Sequence, residues 1–281
     1  MQHNLIVFPH CPKTGGTTLK ERYRYNNSDF VVWDWATRES DIPSTAKVLF
    51  GHDVPLGKLH NTFTDKNLIH ITCLRDPVDR LMSMYNFFKT QLKYMDPDQT
   101  DVDFYLWFIN KDVMRPMRFT KQYEYYLFQH VDHIKWFENE TLKGTLFIND
   151  MYQNTVLDWD IERDTTVVNW DKVEQCYAHK NEVEDYNMNF AWDEILSKFD
   201  HVFFQEDDIV AEFDKLLEQY ELNLTPDTEM VRTNETHVDL ERNKLKYVKF
   251  SDLDSSLQEV VELDLKQDIE FYNRCRDRWK R

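Results

Sequence analysis

The chain has 281 residues, 41% of them hydrophobic and 15% aromatic, with a formal net charge of −17. That much apolar side chain can bury a core, which excludes a globally disordered polymer. The acidic balance excludes non-specific DNA or RNA binding as the main role, because that role needs a basic surface to displace counterions; it also weighs against a strongly polyanionic ligand.

The first element expected is a buried strand over residues 4–8, an apolar run ending at Pro9. A polar, glycine-containing loop follows, then a helix over Thr17–Tyr25. A second strand, Lys47–Phe50, ends at Gly51-His52, and a third, Leu68–Leu74, ends at Arg75-Asp76-Pro77. Pro77 suits the first turn of a helix carrying Leu81, Met84, Tyr85 and Phe88. Residues 100–150 are dense in aromatics and read mainly as helical core. Val202–Phe204 reads as a strand, Ile209–Tyr220 as an amphipathic helix, and Asn223–Pro226 as a loop. Ser251 is expected to cap one long final helix reaching about Arg276, whose basic last turn favours the negative end of the helix dipole. Strand, loop and helix repeated in this order predict an α/β fold, a central parallel sheet flanked by helices. With 5 glycines, 8 prolines and no flexible linker, residues 1–281 read as a single domain.

Cys11, Cys73, Cys176 and Cys275 are widely separated, so neither a zinc site nor a disulfide framework is expected; Cys11 and Cys73 read as small buried hydrophobes. No apolar stretch is long enough to span a membrane, and the N-terminus shows no signal peptide. The expectation is a soluble, cytoplasmic chain, with the Golgi lumen as alternative if an N-terminal anchor has been removed. Oligomeric state is not legible.

Three segments carry chemistry. Pro12-Lys13-Thr14-Gly15-Gly16-Thr17-Thr18 lies between a strand and a helix. Its glycines let backbone amides approach an anion, the helix N-terminus favours negative charge, and Lys13 adds a cation. The lysine precedes the glycines and no Gly-Lys-Ser/Thr follows, unlike a nucleotide-triphosphatase loop. Arg75 ends a strand, where open α/β sheets place ligands, and Ser83 follows eight residues on; guanidinium and hydroxyl could close on one phosphate. Arg75-Asp76-Pro77 could equally be a strand-to-helix turn with an ion pair. Phe50-Gly51-His52-Asp53 ends the strand between these two segments in sequence.

Together and at this spacing, the segments resemble the sulfotransferases that use 3′-phosphoadenosine 5′-phosphosulfate (PAPS), a P-loop-like fold. The likeness is to the carbohydrate branch of heparan sulfate and uronyl 2-O-sulfotransferases. It implies that Lys13, Thr14, Gly15, Gly16, Thr17 and Thr18 hold the 5′-phosphosulfate, with Lys13 stabilising charge in the reaction. It places Arg75 and Ser83 on the 3′-phosphate and makes His52 the general base. His10, His60, His70 and Asp53 remain rivals for that role. Val202–Glu206 resembles the family's later strand-helix unit. Arg232–Thr236 resembles the loop closing over the nucleotide, which adds Thr233 and Asn234. The resemblance further implies a hydroxyl acceptor, in that branch a glycan, and a reaction needing no metal. Residues 95–200 match nothing nameable and are expected to bind the acceptor. Two alternatives stay open: a P-loop kinase or other nucleotide-dependent phosphotransferase, and a catalytically silent glycan- or nucleotide-binding module of the same fold.

Overall fold

The computed structural model describes residues 3–33, 37–52, 54, 56, 59–95, 102–109, 121–122, 125–126, 157–160, 165–168, 196–227 and 236–279. Five strands form one sheet in the order β2-β3-β1-β4-β7, every neighbouring pair parallel: β1 His3–Pro9, β2 Phe30–Val32, β3 Val48–Gly51, β4 Lys66–Leu74 and β7 His201–Phe204. The short strands β5 Leu157–Asp160 and β6 Thr165–Val168 form a separate antiparallel pair.

The apolar runs of β1, β3 and β4 are buried because the sheet is covered on both faces. Successive side chains alternate. Ile6, Phe8, Val48 and Phe50 pack with Leu19 and Tyr23 of helix α1 (Gly16–Arg24) and with Phe213, Leu216 and Leu217 of helix α4 (Ile209–Gln219). Leu5, Val7 and Leu49 face the other way, against Trp33, Val54, Leu59 and Phe63. Helix α2 (Pro77–Met95) starts at the proline, and the Asp76 carboxylate accepts from the amides of Val78 and Asp79, both at 3.0 Å. Its Leu81, Met84, Tyr85 and Phe88 pack with helix α3 (Phe104–Ile109).

The sequence reading needs two corrections. Phe30–Val32 forms an edge strand that it did not contain. The single final helix is two: α6 (Ser255–Asp264), following helix α5 (Thr236–Arg242), and α7 (Lys266–Trp279). Ser251 lies inside a 3-10 turn over Phe250–Asp252 and caps neither; Asp254 caps α6, its carboxylate accepting from the Leu257 amide. Cys11, Cys73 and Cys275 are buried free thiols, while Cys176 lies outside the described residues.

In this order β1 has β3 on one side and β4 on the other, so the loops leaving their carboxyl ends are neighbours. His10, Gly51-His52 and Arg75 therefore open onto one edge of the sheet. Such an edge is where open α/β folds place ligands.

Candidate active site

The loop after β1 makes its turn with two residues of left-handed backbone, Lys13 at φ 69° and Gly15 at φ 93°. Gly15 tolerates that conformation because it has no Cβ. Gly16 is required for a different reason: a Cβ there would lie 2.5 Å from the His10 ring. Helix α1 then starts with no side-chain cap and no acidic residue in its first turn, which contains Thr17 and Thr18. Its leading amides and the dipole behind them favour an anion.

Lys13 is partly buried, and its ammonium sits 4.2 Å from the Phe87 ring centroid and 3.5 Å from Thr236 Oγ1. Burial, reinforced by the positive charges of Arg75 and Arg80, lowers its pKa to about 8 against the pull of Asp239. Thr14 differs from the other loop residues. Its hydroxyl is fully buried, donates to the Cys11 carbonyl at 2.8 Å and lies 3.4 Å from His10 Nδ1. Its side chain is thus turned away from any ligand over the loop, and only its backbone could take part.

Arg75 leaves the end of β4 with its guanidinium beside the first loop, Nη1 lying 3.5 Å from the Lys13 carbonyl. Burial lowers its pKa, Asp79 opposing, and it stays cationic at neutral pH. Its Nε is buried without a hydrogen-bond partner. An unpaired donor on a buried cation is costly unless an anion completes it. Ser83 is buried in α2, and its hydroxyl makes no hydrogen bond among the described residues.

His52, at the end of β3, is exposed. Its Nδ1 is 2.7 Å from the His10 carbonyl. A carbonyl only accepts, so Nδ1 carries the hydrogen and the neutral ring keeps its lone pair on Nε2. The Tyr125 hydroxyl donates to the His52 carbonyl at 2.9 Å. The His10 ring stacks on both Phe50 and His52, with centroids 5.0 Å apart in each pair. Burial, added to by the charges of His52, Lys20, Arg80 and Lys13, holds His10 well below the ordinary histidine range. The fold thus brings Arg75 against the loop at Lys13, the same loop against His10 at Thr14, and His10 against His52.

Over residues 2–273 the chain matches the Sulfotransferase family. It belongs to that family. No curated protein matches it.

Of the rival bases, the sulfotransferase has His10 at this same edge, with its ring buried and stacked on His52. His70 is buried within β4, four residues before the strand's end, with its ring 5.6 Å from that of His60. Asp53, Thr233 and Asn234 lie outside the described residues, as does most of the 95–200 segment. Thr236, which ends the segment likened to a closing loop, does reach the loop after β1 through Lys13.

Sequence reasoning missed the residues that support the site. Arg80, 1% exposed, donates from Nε to the Pro12 carbonyl at 2.9 Å and so anchors the first loop from α2. Gln122, fully buried, accepts the Arg75 amide at 3.0 Å and donates to the Arg75 carbonyl at 2.8 Å. Gln122 is itself held by the buried Asp268 of α7, which accepts its amide at 2.8 Å. Arg80 stands five residues after Arg75 in the same segment, but nothing local marks Gln122 or Asp268. Among the described residues no group of His, Cys, Asp or Glu is placed to hold a metal, and no helix is long and apolar enough to cross a membrane.

Proposed function

We propose that this sulfotransferase moves the sulfonate group of PAPS to a hydroxyl of a carbohydrate, with His52 as general base. The observation that carries the reading is the His52–His10 pairing at 2.7 Å. It presents Nε2 as the basic atom of a histidine at the same sheet edge as an anion loop and a half-buried arginine whose Nε has no hydrogen-bond partner. The amides of Gly15, Gly16, Thr17 and Thr18, with the Lys13 ammonium, would hold the 5′-phosphosulfate, and the Thr17 and Thr18 hydroxyls are available to it. Arg75 and Ser83 would hold the 3′-phosphate. Thr233 and Asn234 would close over the nucleotide, and elements within residues 95–200 would bind the acceptor.

In this mechanism the acceptor oxygen attacks sulfur in line, forming the new O–S bond. The bond from sulfur to the bridging oxygen of the 5′-phosphate breaks, with its electron pair passing to that oxygen. The acceptor proton goes to His52 Nε2, and adenosine 3′,5′-bisphosphate leaves. Lys13 and the loop amides offset the charge growing on the bridging and sulfonate oxygens; positioning and electrostatics supply most of the catalysis, as in phosphoryl transfer.

The test is calorimetric binding of adenosine 3′,5′-bisphosphate against ATP with Mg²⁺, followed by transfer assays with PAPS on a panel of glycans, phenols and small alcohols. Metal-independent binding of the bisphosphate is expected. Transfer to a glycan should fall about 10²- to 10⁴-fold in His52→Ala while the bisphosphate still binds. Binding of ATP-Mg²⁺ alone would overturn the donor assignment and favour a phosphotransferase. Transfer confined to phenols or small alcohols would overturn the acceptor assignment.

A further inference from the structure

Three buried side chains at one helical spacing reach the ends of two strands. Gln122, Tyr125 and Tyr126 stand at i, i+3 and i+4, which places them on one face of a turn. Each hydrogen-bonds the carboxyl edge of the sheet. Gln122 bonds both backbone groups of Arg75, at 3.0 and 2.8 Å. The Tyr126 hydroxyl lies 2.8 Å from the Thr72 hydroxyl and donates to the Cys73 carbonyl at 3.3 Å. The Tyr125 hydroxyl donates to the His52 carbonyl at 2.9 Å. The turn is anchored in its own right from α7, where the Asp268 carboxylate accepts the Gln122 amide.

At His52 such a hold has a chemical consequence. Strand β3 ends at Gly51, whose carbonyl accepts the His10 amide at 2.8 Å, and His52 is the first residue past the strand. Exposed side chains change rotamer quickly unless something restrains them. Here the ring is restrained by the bond from Nδ1 to the His10 carbonyl. That bond keeps its length only while the backbone of residue 52 stays in place, and Tyr125 ties that backbone. Tyr125 is 2% exposed, with its ring edge-on to Tyr126 at 5.0 Å and packed in one core cluster with Leu56, Leu74 and Phe271. Packing fixes the phenol, and the phenol fixes the carbonyl. A buried phenol needs an acceptor, and any nearby carbonyl would serve. The one it takes belongs to the residue whose Nε2 is the proposed base.

We propose that Tyr125 is a positioning residue for the transfer reaction. By holding the His52 carbonyl it keeps the ring on the His10 carbonyl, which fixes the hydrogen on Nδ1 and leaves Nε2 as the basic atom. Tyr125 acts through His52 and not on the reacting atoms. Because it lies within residues 95–200, the segment assigned to the acceptor also places the base. This rests on the reading of His52 as general base.

Two readouts on Tyr125→Phe in the full chain test this. Nitrogen-15 NMR of histidine-labelled protein, above the histidine range at about pH 8.5, reports which ring nitrogen carries the hydrogen. The signal missing from His52→Ala identifies His52, and this measurement needs no acceptor. The hydrogen is expected on Nδ1 in wild type and on a mixture of both nitrogens in Tyr125→Phe. Turnover with PAPS is then measured on whichever glycan of the panel gives the fastest wild-type transfer. It should fall roughly tenfold in Tyr125→Phe, because a misplaced base costs rate. The Michaelis constant for PAPS and the binding of adenosine 3′,5′-bisphosphate should not change, which also shows that the variant is folded. In a His52→Ala background the same substitution should cost nothing further, since the group it places is gone. An unchanged His52 tautomer, or an equal loss of turnover in both backgrounds, would overturn the role of Tyr125. If His52→Ala left turnover as in wild type, the reading of His52 as base would fall, and this proposal with it.

Discussion

The loops after β1 and β4 would hold opposite ends of one nucleotide, and they are constructed differently. Between β1 and α1 the backbone does the work: Lys13 and Gly15 have positive φ, and α1 begins with no side-chain cap. Between β4 and α2 the backbone is ordinary and the helix is capped by Asp76. There the functional group is a side chain, and the backbone that carries it is bonded by Gln122, 47 positions on, which is in turn bonded to Asp268, a further 146 positions on. A loop of the first kind fails when a local residue changes. A loop of the second kind can fail through a substitution far off in sequence.

The largest expected effect is on the backbone loop. Gly16→Ala places a Cβ 2.5 Å from the His10 ring, which is stacked against Phe50 and His52 and has little room to retreat. Because the loop amides and the proposed base, His52, would shift together, turnover with PAPS should fall at least about 100-fold, comparable to removing an oxyanion donor. The check is steady-state turnover beside a circular dichroism melt; wild-type turnover in a folded Gly16→Ala protein would break the contrast. Arg75→Ala comes next. Losing charged hydrogen bonds should weaken adenosine 3′,5′-bisphosphate roughly 10- to 100-fold, with little change for the 5′-monophosphate.

Lys13 sharpens the comparison through pH. A lysine lowered to about 8 in the free protein is charged below that pH and loses its proton above it. An anion binds the ammonium form, so binding above pH 8 must take up a proton, and affinity should fall up to about tenfold per pH unit. Arg75 stays charged throughout, so the 3′ side contributes no such slope. Titrations between pH 7 and 9.5 should show the fall in wild type and a flat profile in Lys13→Arg. A slope surviving in Lys13→Arg would assign it to another group.

What could be read from the sequence follows the same division. The strands β1, β3, β4 and β7 are continuous apolar runs ended by proline, glycine or a polar turn, and the anion loop is one local string, so both are legible in a short window. The edge strand Phe30–Val32 is too short to show a period. The break at Leu265 is masked because Val261, Leu265 and Ile269 continue one apolar stripe across it. Gln122 sits in an aromatic-rich stretch with no marker of its own. Asp268, in the first turn of α7, looks like an ordinary acidic residue favouring the positive end of a helix. Contacts such as Asn86 with Val248, 162 positions apart, exist only after folding.

The smallest expected effect tests whether that distant support matters to binding. Gln122→Leu keeps the bulk but leaves the amide and carbonyl of Arg75 without the amide side chain that pairs with both. It also removes one donor from buried Asp268. Leaving such groups unpaired should cost about 1–3 kcal/mol of stability, read by urea denaturation. A purely structural role would stop there. A positioning role should also weaken adenosine 3′,5′-bisphosphate roughly fivefold, about 1 kcal/mol of coupling, with 5′-monophosphate affinity unchanged. If Gln122→Leu lost stability and bound both nucleotides as wild type does, Arg75 would hold its place without distant help. The two loops would then differ in their materials but not in how far their support extends.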